Sequence, residues 1–74
     1  MSESEIIKRL LNGDEEFKSM YFEHRKLDDM VKDMEKKGSS ISLDEELEIK
    51  RLKKMKLALK DRMEERIRKE RGNS

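Results

Sequence analysis

Seventy-four residues, 50% of them charged and only 32% hydrophobic, suffice for one small domain and leave no material for a catalytic domain with a buried cleft. Nineteen Lys and Arg stand against eighteen Asp and Glu, so the net charge of +1 is not that of a polycation built for nucleic acid. The absence of cysteine excludes disulfides and thiolate metal sites, and the absence of proline suits long helices better than a sandwich or barrel.

The start, Met1-Ser2-Glu3-Ser4-Glu5, lacks the basic-then-apolar order of a secretory signal, and no run of about 18 apolar residues occurs. A cytoplasmic protein with no membrane partner is expected. Ser2 with Glu5 three positions on forms a capping-box signature for a short helix within residues 1–13. Its apolar face holds Ile6, Ile7, Leu10 and Leu11, and Asn12-Gly13 ends it. Asp14 is an N-cap for a second helix through Lys37, which Gly38 stops by supplying a left-handed residue. Ser42 with Glu45 repeats the capping box and opens a third helix to about Arg71, with a loop over 38–41 and a disordered tail over 72–74.

The second helix carries Phe17, Met20, His24, Leu27, Val31 and Met34 at alternating spacings of three and four, a heptad seam that must face another helix. The third places Ile49, Leu52, Met55, Leu59, Met63 and Ile67 on one stripe, interrupted by Glu45, Lys56 and Arg66. With so short a connection the two become antiparallel neighbours, and 14–71 reads as a helical hairpin of coiled-coil character. Folding about the loop pairs positions whose numbers sum to about 80: Val31 with Ile49, Leu27 with Leu52, Met20 with Leu59, Phe17 with Met63. The third helix outruns the second by roughly 10 Å, and the first can fold back to bring Ile6, Leu10 and Leu11 near Ile67.

Burial of these stripes barely offsets the backbone entropy of the helices, so an isolated hairpin is marginal. Apolar residues also remain on the backs of both helices: Phe22 and Met30 on the second, Leu43, Leu47, Leu57 and Ala58 on the third. They form a candidate second interface, and the expectation is an all-α homodimer in which two hairpins complete a four-helix bundle.

Three groups of residues carry possible chemistry. His24, the only histidine, sits on the seam level with Lys56, one turn before Asp28. A catalytic or metal-binding reading of His24, Asp28 and Lys56 lacks a nucleophile and enough ligands, so an interhelical hydrogen-bonded cluster that fixes register is the better reading, and no cofactor is expected. Lys50, Arg51, Lys53, Lys54 and Lys60 crowd the third helix, whose residues 50–71 hold eleven Lys and Arg against four Asp and Glu. That basic face suits nucleic acid or another anion, yet i,i+4 pairs such as Glu46 with Lys50 and the acid-to-base order along the helix explain it as a solvated surface. Of the six methionines, Met20, Met34, Met55 and Met63 fall on the seams as core filling, while Ser39, Ser40 and Ser42 suit turn and cap roles.

Glu16-Phe17, His24-Arg25-Lys26-Leu27-Asp28, Arg51-Leu52-Lys53-Lys54 and Lys56-Leu57-Ala58-Leu59-Lys60-Asp61 together resemble the YdcH-type family of small bacterial proteins of unknown function, over roughly residues 14 to 67. The motif is a phenylalanine before H-x-x-L-D, followed by L-K-K-x-K-L-x-L-K-D. The resemblance implies a long helical hairpin that oligomerises, with no assigned activity or cofactor. It marks His24, Leu27, Asp28, Lys53, Lys56, Leu57, Lys60 and Asp61 as motif positions. The first helix, Glu5-Ile6-Ile7-Lys8-Arg9-Leu10-Leu11, departs from the tyrosine- and arginine-containing start associated with that family. The functional expectation is a non-enzymatic interaction module, self-associating and able to dock a larger protein through the third helix. The alternative is a small nucleic-acid-associated regulator using residues 50–71.

Overall fold

A computed structural model describes residues 2–72, and they form three helices joined by short turns: α1 (Glu3–Gly13), α2 (Glu15–Glu35) and α3 (Leu43–Gly72). The caps are those the sequence offers. At α1 the Glu5 N–H donates to the Ser2 hydroxyl oxygen at 3.3 Å, and that hydroxyl donates to the Glu5 carboxylate at 3.2 Å. At α3 the box is fully reciprocal, with Glu45 N–H donating to Ser42 Oγ at 3.2 Å and Ser42 N–H to the Glu45 carboxylate at 3.4 Å. Between α1 and α2 there is no loop. The Asp14 N–H donates to the Leu10 carbonyl at 2.8 Å to close one helix, while its carboxylate accepts from Phe17 N–H at 3.0 Å to open the next.

α2 ends at Glu35, two residues before the position expected. The Lys37 N–H turns to the Met34 carbonyl at 3.3 Å, tightening the last turn from α to 3-10 geometry. Gly38 then takes φ +57, the left-handed conformation that costs a side-chain-bearing residue about 1–2 kcal/mol. A 3-10 turn over Gly38–Ser40 delivers the chain to Ser42. At the other terminus α3 includes Gly72, and the rest of the expected tail, residues 73 and 74, lies outside the described residues.

The result is a rod of 49 × 20 × 15 Å with its core divided along the length. Near the turn, Leu27 and Val31 of α2 pack on Ile49 and Leu52 of α3, with Met34 and Ile41 at the edge. At the open end, Phe17 and Met20 meet Ile67 of α3 and, from α1, Ile6 and Leu10. Leu59 touches both clusters and joins them into one seam. α1 does fold back over the end of α3, and Arg9 reaches Glu70 at 3.5 Å. Ile6 and Phe17 have no accessible surface at all, so the α1 end is the most completely closed part of the core.

Several seam residues are less buried than expected, with Met34, Leu59 and Met63 only half-buried. Met55 is 40% exposed instead of buried, lying on the flank where Arg51 Nη1 approaches its sulfur at 3.7 Å. His24 is only half-buried. The interruptions of the α3 stripe have a structural explanation: each of its three inward charges meets an opposite charge from the other side of the hairpin. Glu45 pairs with Lys37, Lys56 with Asp28, and Arg66 with Asp14. Spread from the turn to the open end, these pairs bracket the apolar seam and reject a slipped register, which would set like charges opposite one another or leave them unanswered.

Truncation of a closed core residue should therefore be far costlier than truncation of an exposed leucine of similar bulk. Phe17→Ala is expected to lower unfolding free energy by about 3–5 kcal/mol, and Leu57→Ala by less than about 0.5 kcal/mol, as measured by urea titration of far-UV circular dichroism.

Candidate functional site

The hairpin has two flanks, and they differ in charge. On one, a shallow trough of about 430 Å³ lies between α2 and α3, walled by His24, Lys53, Lys56 and Lys60 and floored by Leu57 and Met63. His24 and Met63 also line the adjoining depression with Tyr21, Arg25 and Asp28, so the two form one continuous groove. It is set there by helix phase: from the buried seam positions, these residues lie roughly a quarter-turn round each helix on the same side.

At the centre of the groove Lys56 Nζ donates to Asp28 Oδ1 at 2.6 Å, and Lys32 lies 2.9 Å from Asp28 Oδ2. The Lys56 hydrogen bond, followed by that from Lys32, holds the Asp28 carboxyl down at about 2. Both carboxylate oxygens are thus engaged by lysines. This corrects the expected cluster of His24, Asp28 and Lys56: the latter two are bonded, but His24 makes no hydrogen bond among the described residues, and Lys32 occupies the place expected for it. The i,i+4 spacing of Asp28 and Lys32 was a signal in the sequence for this third member that the expected cluster passed over. His24 instead presents its ring to the groove beside Met63 and Leu57, without the carboxylate partner a general base or metal-bound imidazole would use.

A second carboxylate is similarly placed at the far end. Asp14 is held below the usual carboxylate range first by the Phe17 N–H and next by the Arg66 guanidinium. At the turn, Lys37 and then the Ser42 N–H do the same for Glu45.

The residues of the expected basic face have different fates. Arg51 donates to Glu48 through Nε at 3.1 Å, and Lys53 lies 3.3 Å from Glu35. Lys50, Lys54 and Lys60 are exposed and make no ion pair among the described residues, with Lys60 on the groove and Lys50 and Lys54 on the back of α3. The face is therefore discontinuous.

The six residues of the expected second interface are all exposed but point in different directions, so they do not form one surface. Leu43 at 79% and Leu47 at 64% lie on the outer back of α3, and Phe22 at 54% lies on the outer back of α2, facing the opposite way. Leu57 belongs to the groove. Met30, at 39%, falls with Met55 on the other flank, beside Ala58, which sits between that flank and the α3 back. Helix phase alone separates these directions, but the sequence reading treated everything off the seam as a single back. Tyr21, Arg25 and Met63 of the groove were missed as site residues for the same reason.

The geometry defines a class: an all-α antiparallel hairpin, closed at its open end by a short N-terminal helix and bearing one basic, apolar-floored groove. The chain belongs to the family described as "Protein of unknown function (DUF465)", the YdcH type, whose profile matches residues 17–70. No curated protein and no solved structure matches it. α1 precedes the matched span, and the motif positions His24, Lys53, Lys56, Leu57 and Lys60 all line the groove. Among the described residues no helix is long and apolar enough to cross a membrane.

The depressed Asp28 sets a pH dependence. A carboxylate with a lowered folded-state value contributes stability that is present above its unfolded value near 3.8 and is lost as pH falls from there towards 2. Thermal melts from pH 6 to pH 2 should show an acid limb, and Asp28→Asn should make it shallower, the remainder belonging to the lowered carboxyls of Asp14, Glu45, Glu48 and Glu65.

Proposed function

We propose that this protein is a non-enzymatic interaction module whose hairpins self-associate as a dimer, completing a four-helix bundle. The observation that carries the reading is the pair Met30 and Met55, 39% and 40% exposed on the same flank of the hairpin. Beside a core of nine buried apolar residues among the described ones, covering that pair adds apolar burial that a single hairpin lacks.

Of the available faces, the flank bearing Met30 and Met55 best suits a second copy. Two of its carboxylates are already paired within the chain, Glu48 with Arg51 and Glu16 with Arg62 at 3.3 Å, so two such flanks meet with less repulsion than two grooves. Methionine packs readily against methionine in a symmetric contact. The groove flank would instead bring Arg25, Lys53, Lys56 and Lys60 towards their own copies. The nucleic-acid reading is weakened by the loss of Arg51, Lys53 and Lys56 to intramolecular pairs, which leaves too few aligned cations for backbone tracking.

Sedimentation velocity at micromolar concentration is expected to give a dimer. Met30→Glu combined with Met55→Glu should give a monomer of unchanged helix content. A monomeric unmodified chain, or a variant that remains dimeric, refutes the assignment of that flank.

A further inference from the structure

We infer that the groove opposite the dimer flank is a docking site for an acidic amphipathic helix of a partner protein. The inference does not depend on self-association, because the two flanks point in opposite directions.

The shape favours a helix. The groove runs between two antiparallel helices from Tyr21 to Asp28 on α2 and from Met63 back to Lys53 on α3, a span of roughly 10–15 Å, or two to three helical turns. Leu57 and Met63 give its floor an apolar strip of the kind that takes side chains at i, i+3, i+4 and i+7. Leu57 is 59% exposed, so much of that strip is in water until something covers it. A third helix lying there packs as a third member of a bundle, the geometry already used by α1 at the open end.

The charge decides the sign of the partner. Arg25, Lys53, Lys56 and Lys60 line the groove with one carboxylate, Asp28, whose oxygens are taken by Lys56 and Lys32, while Lys53 pairs with Glu35 beyond the lining at 3.3 Å. Arg25 and Lys60 have no ion-pair partner among the described residues, and each wall of the groove carries one of them. Acidic residues on both edges of an incoming apolar stripe would meet these cations, while a basic helix would meet like charge. Two copies meeting groove to groove are disfavoured by the same sign. His24, half-buried on the groove and without a hydrogen-bond partner among the described residues, gives a further hydrogen-bonding position to a partner carboxylate or amide.

The test uses the full chain and three synthetic peptides of equal length. The first is an amphipathic helix with a leucine stripe edged by glutamates, the second has lysine for every glutamate, and the third is a scramble of the first without an apolar face. Titration followed by nuclear magnetic resonance at about 50 mM salt should show binding of the first peptide alone, with amide shifts concentrated at His24, Leu57 and Met63. Lys53→Glu with Lys60→Glu, both exposed positions, should weaken the acidic peptide about tenfold or more and let the lysine peptide bind. Equal binding of the scramble or of the lysine peptide to the unmodified chain overturns the proposal, as do shifts centred on Leu43 and Leu47. Failure of the acidic peptide, with single-stranded oligonucleotide bound at the same groove instead, also overturns it and assigns the site to nucleic acid. Repeating the titration on the Met30→Glu, Met55→Glu chain separates the two claims, since the groove should bind whether or not the hairpins pair.

Discussion

The two long arms differ in length, and that difference governs the rest of the structure. α3 has 30 residues and α2 has 21, so about 13 Å of α3 extends past its antiparallel partner with Ile67 on the inner face. A two-helix hairpin would leave that end open to water. α1, with 11 residues, is long enough to span the gap, and Asp14 turns the chain so sharply that it has nowhere else to lie. Ile6 and Leu10 then close over Phe17, Met20 and Ile67 in the cluster that holds the two most deeply buried side chains, Ile6 and Phe17. Asp14 closes α1 through its backbone N–H and, through its carboxylate, caps α2 and accepts from Arg66 of α3, tying all three elements at one residue.

Within the hairpin, apolar contact supplies the attraction and paired charges supply the register. Half-exposed ion pairs contribute little to stability, but placed on an inner face they penalise every alternative alignment. Glu45, Lys56 and Arg66 occupy three separate heights of α3, and each finds its opposite on the turn, on α2 and at the α1–α2 corner. The same arrangement accounts for the surface. Lysines near the seam serve both the pairings and the groove, which makes one flank basic, while the other flank pairs two of its carboxylates locally and leaves Met30 and Met55 exposed.

Most of this fold is legible in the residues themselves. Capping boxes at Ser2 and Ser42, the double role available to Asp14 and the left-handed Gly38 fix where helices begin and end, and 3–4 periodicity fixes which faces meet. What escaped was of two kinds. Met55 and His24 fit the heptad count, yet Met55 is 40% exposed on a flank and His24 is half-buried on the groove, a matter of side-chain packing and not of spacing. The site was harder to see, because a groove is made by residues a quarter-turn off the seam on two helices, and only the paired structure brings Arg25 and Tyr21 beside Lys60 and Met63. Motif positions carried part of that information, since six of them line the groove, but they did not reveal its direction or its sign.

Closure of the three helices on one core is tested most directly by the distance between α1 and the end of α3. The chain contains no cysteine, so spin labels at Arg9→Cys and Glu70→Cys, residues whose side chains lie 3.5 Å apart, report that contact alone. Double electron–electron resonance on singly diluted labelled chains should give one short, narrow distance. A broad distribution reaching the length of the rod would mean that α1 does not close the hairpin, and the account would fail.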